Sequence, residues 1–134
     1  MSNDIMSYFE KDRFAAFVGI KLVEVKPGYA KASLEITDKH LNAVNMVQGG
    51  VIFTLADFAF EAASNSYGEV SVGINANISY FRSPKGKTLI AEAKEISASN
   101  KIASYNVDIL NENKEIIAKF TGMVYRKKDK LKFD

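Results

Sequence analysis

Between residues 29 and 37 apolar and polar side chains take strict turns: Ala30, Ala32, Leu34 and Ile36 alternate with Lys31, Ser33, Glu35 and Thr37. A period of two puts the apolar set on one face of an extended strand and leaves the other face to water. The same rhythm returns after Gly68. It runs through 72–82, where Ile74, Ala76, Ile78 and Tyr80 oppose Asn75, Asn77, Ser79 and Phe81. It continues through 89–96, through 102–110 with Ala103, Tyr105, Val107 and Ile109 on one face, and through 116–126. Residues 20–26 read as a further strand, closed by the turn residues Lys26-Pro27-Gly28. Ser83-Pro84-Lys85-Gly86 and Asn111-Glu112-Asn113-Lys114 are turns, so the last four strands are expected as antiparallel neighbours.

Two stretches carry helical spacing instead. Residues 4–18 predict a short helix with Ile5, Phe9, Phe14 and Phe17 buried, ended by Gly19. Residues 51–67 predict a long one, with Val51, Leu55, Phe58, Ala59, Ala62 and Ala63 on one side and Phe53 and Phe60 filling most of the rest. A helix so nearly apolar all round has to be enclosed by the fold. Its only polar stripe is Thr54, Asp57, Glu61 and Ser64, spaced at three and four residues. Residues 38–50 form an irregular loop that ends in two glycines, and residues 127–134 read as a flexible basic tail. The simplest packing is one α+β domain over residues 1–134, a curved antiparallel sheet wrapped around one central helix. One helix covers one face of such a sheet, so the exposed edges predict a second copy as partner.

Composition removes much chemistry. Eighteen basic against sixteen acidic residues leave a net charge of +2, too little for a nucleic-acid surface. There is no cysteine, hence no disulfide, thiolate metal site or Cys nucleophile, and His40 is the single histidine, so no metal site is expected. His40 itself reads as a surface residue at a strand-to-loop junction. The first residues lack a basic and apolar leader, and the longest apolar run, 49–60, is interrupted by Asp57. A cytoplasmic protein without a membrane partner is the expectation.

The candidate chemistry sits at the start of the long helix. Gly49 and Gly50 stand where backbone N–H groups lack intrahelical acceptors, and such donors suit a developing oxyanion. The same pair also serves a tight loop-to-helix turn, and both readings are open. Asp57, two turns on, is either a carboxylate in a confined, catalytic setting or part of a solvated stripe. Glu61 competes with it from one turn further. Asn42, Asn75 and Asn77 are amides able to orient water, or ordinary loop and strand residues. Arg82, Lys85 and Lys87 cluster at a turn, where they either meet phosphates or are solvated.

The run Asn42-Ala43-Val44-Asn45-Met46-Val47-Gln48-Gly49-Gly50-Val51-Ile52-Phe53-Thr54-Leu55-Ala56-Asp57 resembles the signature of hotdog-fold acyl-CoA thioesterases of the PaaI-like branch. So does Asn75-Ala76-Asn77-Ile78-Ser79-Tyr80-Phe81-Arg82, and the likeness extends from about Gly19 to Arg126. The resemblance implies hydrolysis of an aryl- or medium-chain acyl-CoA, with CoA as part of the substrate and no other cofactor. It implies Asp57 as general base or nucleophile, Gly49 N–H on the thioester carbonyl and Asn42 placing the attacking group. Gln48, Gly50, Asn75, Glu61 and Arg82 are expected around the substrate. It further implies a homodimer, or a dimer of dimers, with sites between subunits. Gln48 departs from the family's histidine; it donates hydrogen bonds but carries no proton. That departure opens an alternative, a hotdog module that binds acyl-CoA without cleaving it. A hotdog hydratase is weaker, because its histidine is missing here.

Overall fold

The structure, a computed structural model, describes residues 2–133, so residues 1 and 134 of the expected domain and tail lie outside the described residues. Two helices open the chain, α1 (Ser2–Glu10) and α2 (Arg13–Val18), followed by β1 (Ile20–Lys26) and β2 (Tyr29–Glu35). The central helix α3 spans Gly49–Ser64. Four strands follow: β3 (Glu69–Tyr80), β4 (Thr88–Ala98), β5 (Ile102–Asn111) and β6 (Ile116–Lys130). They form one antiparallel sheet in the order β1-β2-β4-β5-β6-β3.

The period-two faces meet the helix as expected. Ala103, Tyr105, Val107 and Ile109 of β5 are buried beneath α3, whose Leu55, Ala56, Ala59, Ala62 and Ala63 are fully enclosed. Alanines also face it from the middle of the sheet, Ala30 and Ala32 on β2 and Ala91 and Ala93 on β4. Small side chains on both surfaces let the helix lie close against the sheet. No helix among the described residues is long and apolar enough to cross a membrane.

Four expectations need correction. The single helix over 4–18 is two helices, because the Asp12 carboxylate accepts from Ala15 N at 3.0 Å and starts a new one. The break turns Ala15 and Val18 inward, and Phe14 and Phe17 are left 61% and 76% exposed rather than buried. Gly19 does end the segment, with φ at 99°. Strand β3 does not neighbour β4; it pairs with β6 at the sheet edge. Its connector passes the β5–β6 turn, fixed by Phe81 N to Ile117 O (2.8 Å) and Lys87 N to Glu112 Oε2 (2.7 Å), and delivers β4 beside β2. The basic tail is not free either. Strand β6 continues to Lys130, and Leu131 is buried with its N–H on Gly68 O at 2.9 Å. Finally, His40 is buried: its Nδ1 accepts from Thr37 N (2.9 Å) and its Nε2 donates to Val18 O (2.6 Å), tying the loop to α2.

Candidate active site

The loop before α3 is built around its own polar groups. Asn42 Oδ1 accepts from Val44 N (3.0 Å) and Met46 N (3.1 Å), while Asn42 N donates to Met46 O (2.7 Å). Gln48 N donates to His40 O at 2.9 Å, which delivers Gln48 to the helix cap. There Gln48 has extended backbone, φ −62° and ψ 131°, and its Oε1 accepts from Gly49 N at 3.1 Å. The N–H expected to polarise a carbonyl is therefore held by a neutral, rotatable amide. Tyr80, at the end of β3, donates its hydroxyl to Gly49 O at 3.0 Å. Asn42, Gly49, Tyr80 and Arg82 border a cavity of about 290 Å³ at this helix end. Arg82 is bound to Glu115 across 3.2 Å, both side chains about half exposed.

Asp57 sits midway along the helix, eight residues from Gly49, which is ~12 Å along the axis. It is half-buried and stands in a recess of about 410 Å³ with Phe60, Glu61, Ser64, Ser71 and Gly73 among its walls. Burial, and then the negative charge of Asp12, hold its carboxyl above the usual aspartate value. Glu61 is exposed yet borders a hollow walled by Tyr8, Phe9, Lys11 and Asp12. That crowding, with Asp12 and Asp57 close by, pushes its carboxyl up to about 7. The charge of Asp12, the cap residue ahead of α2, is thus felt by both Asp57 and Glu61 of α3.

The structure does not bring Asn75 into this recess. A bulge between Gly73 and Asn75 shifts the strand, and Asn75 and Asn77 then pair with Met123 and Thr121 on the face opposite the buried Phe120 and Val124. Asn77 Nδ2 donates to Asn75 Oδ1 at 3.2 Å on that outer face. Ser71 and Gly73 take the inner position instead. Sequence reasoning did not single out Ser71, because the bulge that sets its phase leaves no mark in the alternation. Asp12 was also missed, although a cap residue before a helical run is a readable signal. Among the described residues no three His, Cys, Asp or Glu side chains are grouped to hold a metal ion.

Residues 45–118, which include Gly49, Asp57 and the Ser71–Gly73 wall, match the family model of the thioesterase superfamily. The chain belongs to the thioesterase superfamily. As a member of it, this hotdog protein is a thioester hydrolase of the PaaI-like branch. It is 40% identical to a candidate esterase of Archaeoglobus fulgidus over 88% of this chain and 77% of that one. It is 31% identical to the Escherichia coli acyl-coenzyme A thioesterase PaaI over 88% of this chain and 85% of the relative. The solved structure of E. coli PaaI superimposes with a TM-score of 0.91 at 27% identity, covering 98% of this chain and 99% of that one. A Streptococcus mutans protein bound to acetyl CoA superimposes with a TM-score of 0.80 at 27% identity, covering 86% and 94%.

Proposed function

We propose that this superfamily member is an acyl-CoA thioesterase, releasing free acid and CoA from an aryl- or medium-chain acyl-CoA at a site shared by two copies of the chain. The relatives named above support the substrate class: one is called an acyl-coenzyme A thioesterase and another was solved with acetyl CoA bound. The observation that carries the shared site is a matter of reach. A carbonyl attacked from Asp57 has to lie within ~3.5 Å of the attacking atom. The Gly49 N–H of the same helix is ~12 Å away along the axis, so a second chain has to supply the donor.

Strand β3 offers the way to do it. It is an edge strand with Val72 and Ile74 exposed, and its free backbone groups suit pairing with an identical strand. The Asp57 recess is walled by Ser71 and Gly73, whereas Gly49 is bonded to Tyr80. Antiparallel self-pairing centred between Ala76 and Asn77 sets position 73 of one copy against position 80 of the other. Asp57 of one chain then faces the Gly49 end of its partner, twice per dimer.

In this site ionised Asp57 takes a proton from water, and the resulting hydroxide adds to the thioester carbon; alternatively the carboxylate itself adds, and water hydrolyses the resulting mixed anhydride after CoA has left. Negative charge developing on the carbonyl oxygen is met by Gly49 N–H, from which Gln48 Oε1 rotates away. The C–S bond breaks and CoA leaves as a thiolate, which needs no strong acid. Asn42 offers its amide N–H beside the carbonyl, and Arg82, which borders the Gly49 cavity, meets the CoA phosphates. No cofactor enters.

Gln48 also supports a second reading, a protein that binds acyl-CoA and does not cleave it. The raised carboxyl of Asp57 favours catalysis, since simple binding gains nothing from a confined acid beside two others. Release of free CoA from a panel of acyl-CoAs separates the two. Wild type is expected to turn over at least one aryl- or medium-chain thioester, and Asp57→Asn to lose most of the rate while still binding. Tight binding without turnover by wild type selects the second reading.

A further inference from the structure

The floor of the Asp57 recess is a single aromatic ring in an unusual seat. Phe60 lies one helical turn from Asp57, is 3% exposed, and packs against Phe120 (centroids 5.4 Å apart) and Tyr105 (5.9 Å). Two glycines face it from adjacent strands. A Cβ on Gly73 of β3 would lie 3.4 Å from Phe60 Cε2. A Cβ on Gly122 of β6 would lie 2.8 Å from its Cε1 and Cζ, and 3.0 Å from Phe120 Cε1. Neither glycine has a positive φ, so backbone conformation does not demand them. Space does at Gly122, where a Cβ would collide with the ring, while a Cβ on Gly73 would just touch it.

Gly73 and Phe60 also line the same recess as the Asp57 carboxyl. The recess therefore has an acidic mouth, formed by Asp57 and Glu61, and below it a wall and floor formed by Gly73 and Phe60. A thioester held with its carbonyl at Asp57 points its acyl group down onto that floor. We propose that Phe60, seated between Gly73 and Gly122, closes the acyl pocket and sets the longest acyl group this enzyme hydrolyses. The proposal rests on hydrolysis taking place at Asp57. It makes the preferred substrate one with a compact acyl group, and it makes Phe60 a specificity residue rather than a catalytic one.

Two substitutions move the floor in opposite directions. Phe60→Leu removes part of the ring and deepens the recess. Gly73→Ala adds a methyl group inside it and presses on the ring at a distance a small shift can absorb. The readout is the ratio of kcat/KM for octanoyl-CoA to that for butanoyl-CoA within each preparation, so the folded fraction cancels. A pocket that gains or loses room for about one methylene should move this ratio roughly tenfold, up in Phe60→Leu and down in Gly73→Ala. An unchanged ratio in either variant overturns the assignment of Phe60. Asp57→Asn is measured alongside: if it hydrolyses both substrates like wild type, the reading of the site fails and the proposal falls with it. If Asp57→Asn is inactive and the ratios stay put, only the proposal about the floor is wrong.

Discussion

Replacing Gly49 by proline removes the proposed oxyanion donor and little else. Gly49 is the first residue of α3, a position where proline fits because its missing N–H has no intrahelical acceptor. The residue before it, Gln48, already has φ −62° and ψ 131°, the extended conformation that proline imposes on its predecessor. The folded state loses the Gly49 N–H to Gln48 Oε1 bond at 3.1 Å, which is exposed and contributes about 0.5–1.5 kcal/mol. Stiffening of the unfolded chain by proline offsets about 0.4–1 kcal/mol of that. Stability should thus change by no more than ~1 kcal/mol, a few degrees in Tm. Loss of one preorganised oxyanion donor costs about 10²–10³ in kcat, or ~3–4 kcal/mol in the transition state, so the kinetic effect should dominate. Gly49→Ala is the control. It keeps the N–H and places a methyl 3.4 Å from the exposed Tyr80 ring, which can give way. The assay is release of CoA thiol, with thermal unfolding followed by circular dichroism. Equal kcat in Gly49→Pro and Gly49→Ala would refute the role given to this amide.

Two further expectations concern the same helix. Gln48→Glu keeps the shape of the cap but holds Gly49 N–H with a charged acceptor and sets a negative group beside the developing oxyanion. The turnover number should fall by at least about tenfold with Tm unchanged or raised, as the charge suits a helix N-terminus. Glu61 ionises at about 7 in the folded protein against 4.5 ordinarily, so folding favours its protonated form. Its contribution to stability is complete below pH 4.5 and fades as pH rises through about 7. Accordingly Glu61→Gln should raise Tm more at pH 8 than at pH 5, and a gain that is equal at both pH values would contradict the crowding described around this side chain.

Much of this fold was readable because burial imposes a period. The inward set Ala103, Tyr105, Val107 and Ile109 and the enclosed face of α3 are where alternation and helical spacing placed them. What the pattern could not reveal was which strands meet. Both β3 and β4 alternate equally well, and the β3–β6 pairing depends on where the connector crosses, fixed by backbone hydrogen bonds of Phe81 and Lys87 that alternation does not encode. The first helix was misjudged for a related reason: Asp12 outweighs the apolar spacing on either side of it and turns Phe14 and Phe17 outward. For the site, Gly49 and Asp57 were legible as a glycine at a helix start and an acid on an apolar helix. The walls of the recess were not. Ser71 and Gly73 reach Asp57 through a bulge, and Asp12 acts on it only through its charge, brought near by the packing of α2 on α3.

The central claim, that each site joins Asp57 of one copy to Gly49 of another, is tested most directly by mixing two inactive variants. Asp57→Asn and Gly49→Pro chains, co-refolded in equal amounts, form hybrid dimers in which one site carries both lesions and the other carries neither. Random pairing makes about half of the dimers hybrid, so about a quarter of wild-type activity should return. If Asp57 and Gly49 of the same chain act together instead, every site in the mixture is damaged, and activity will stay at the sum of the two residual rates.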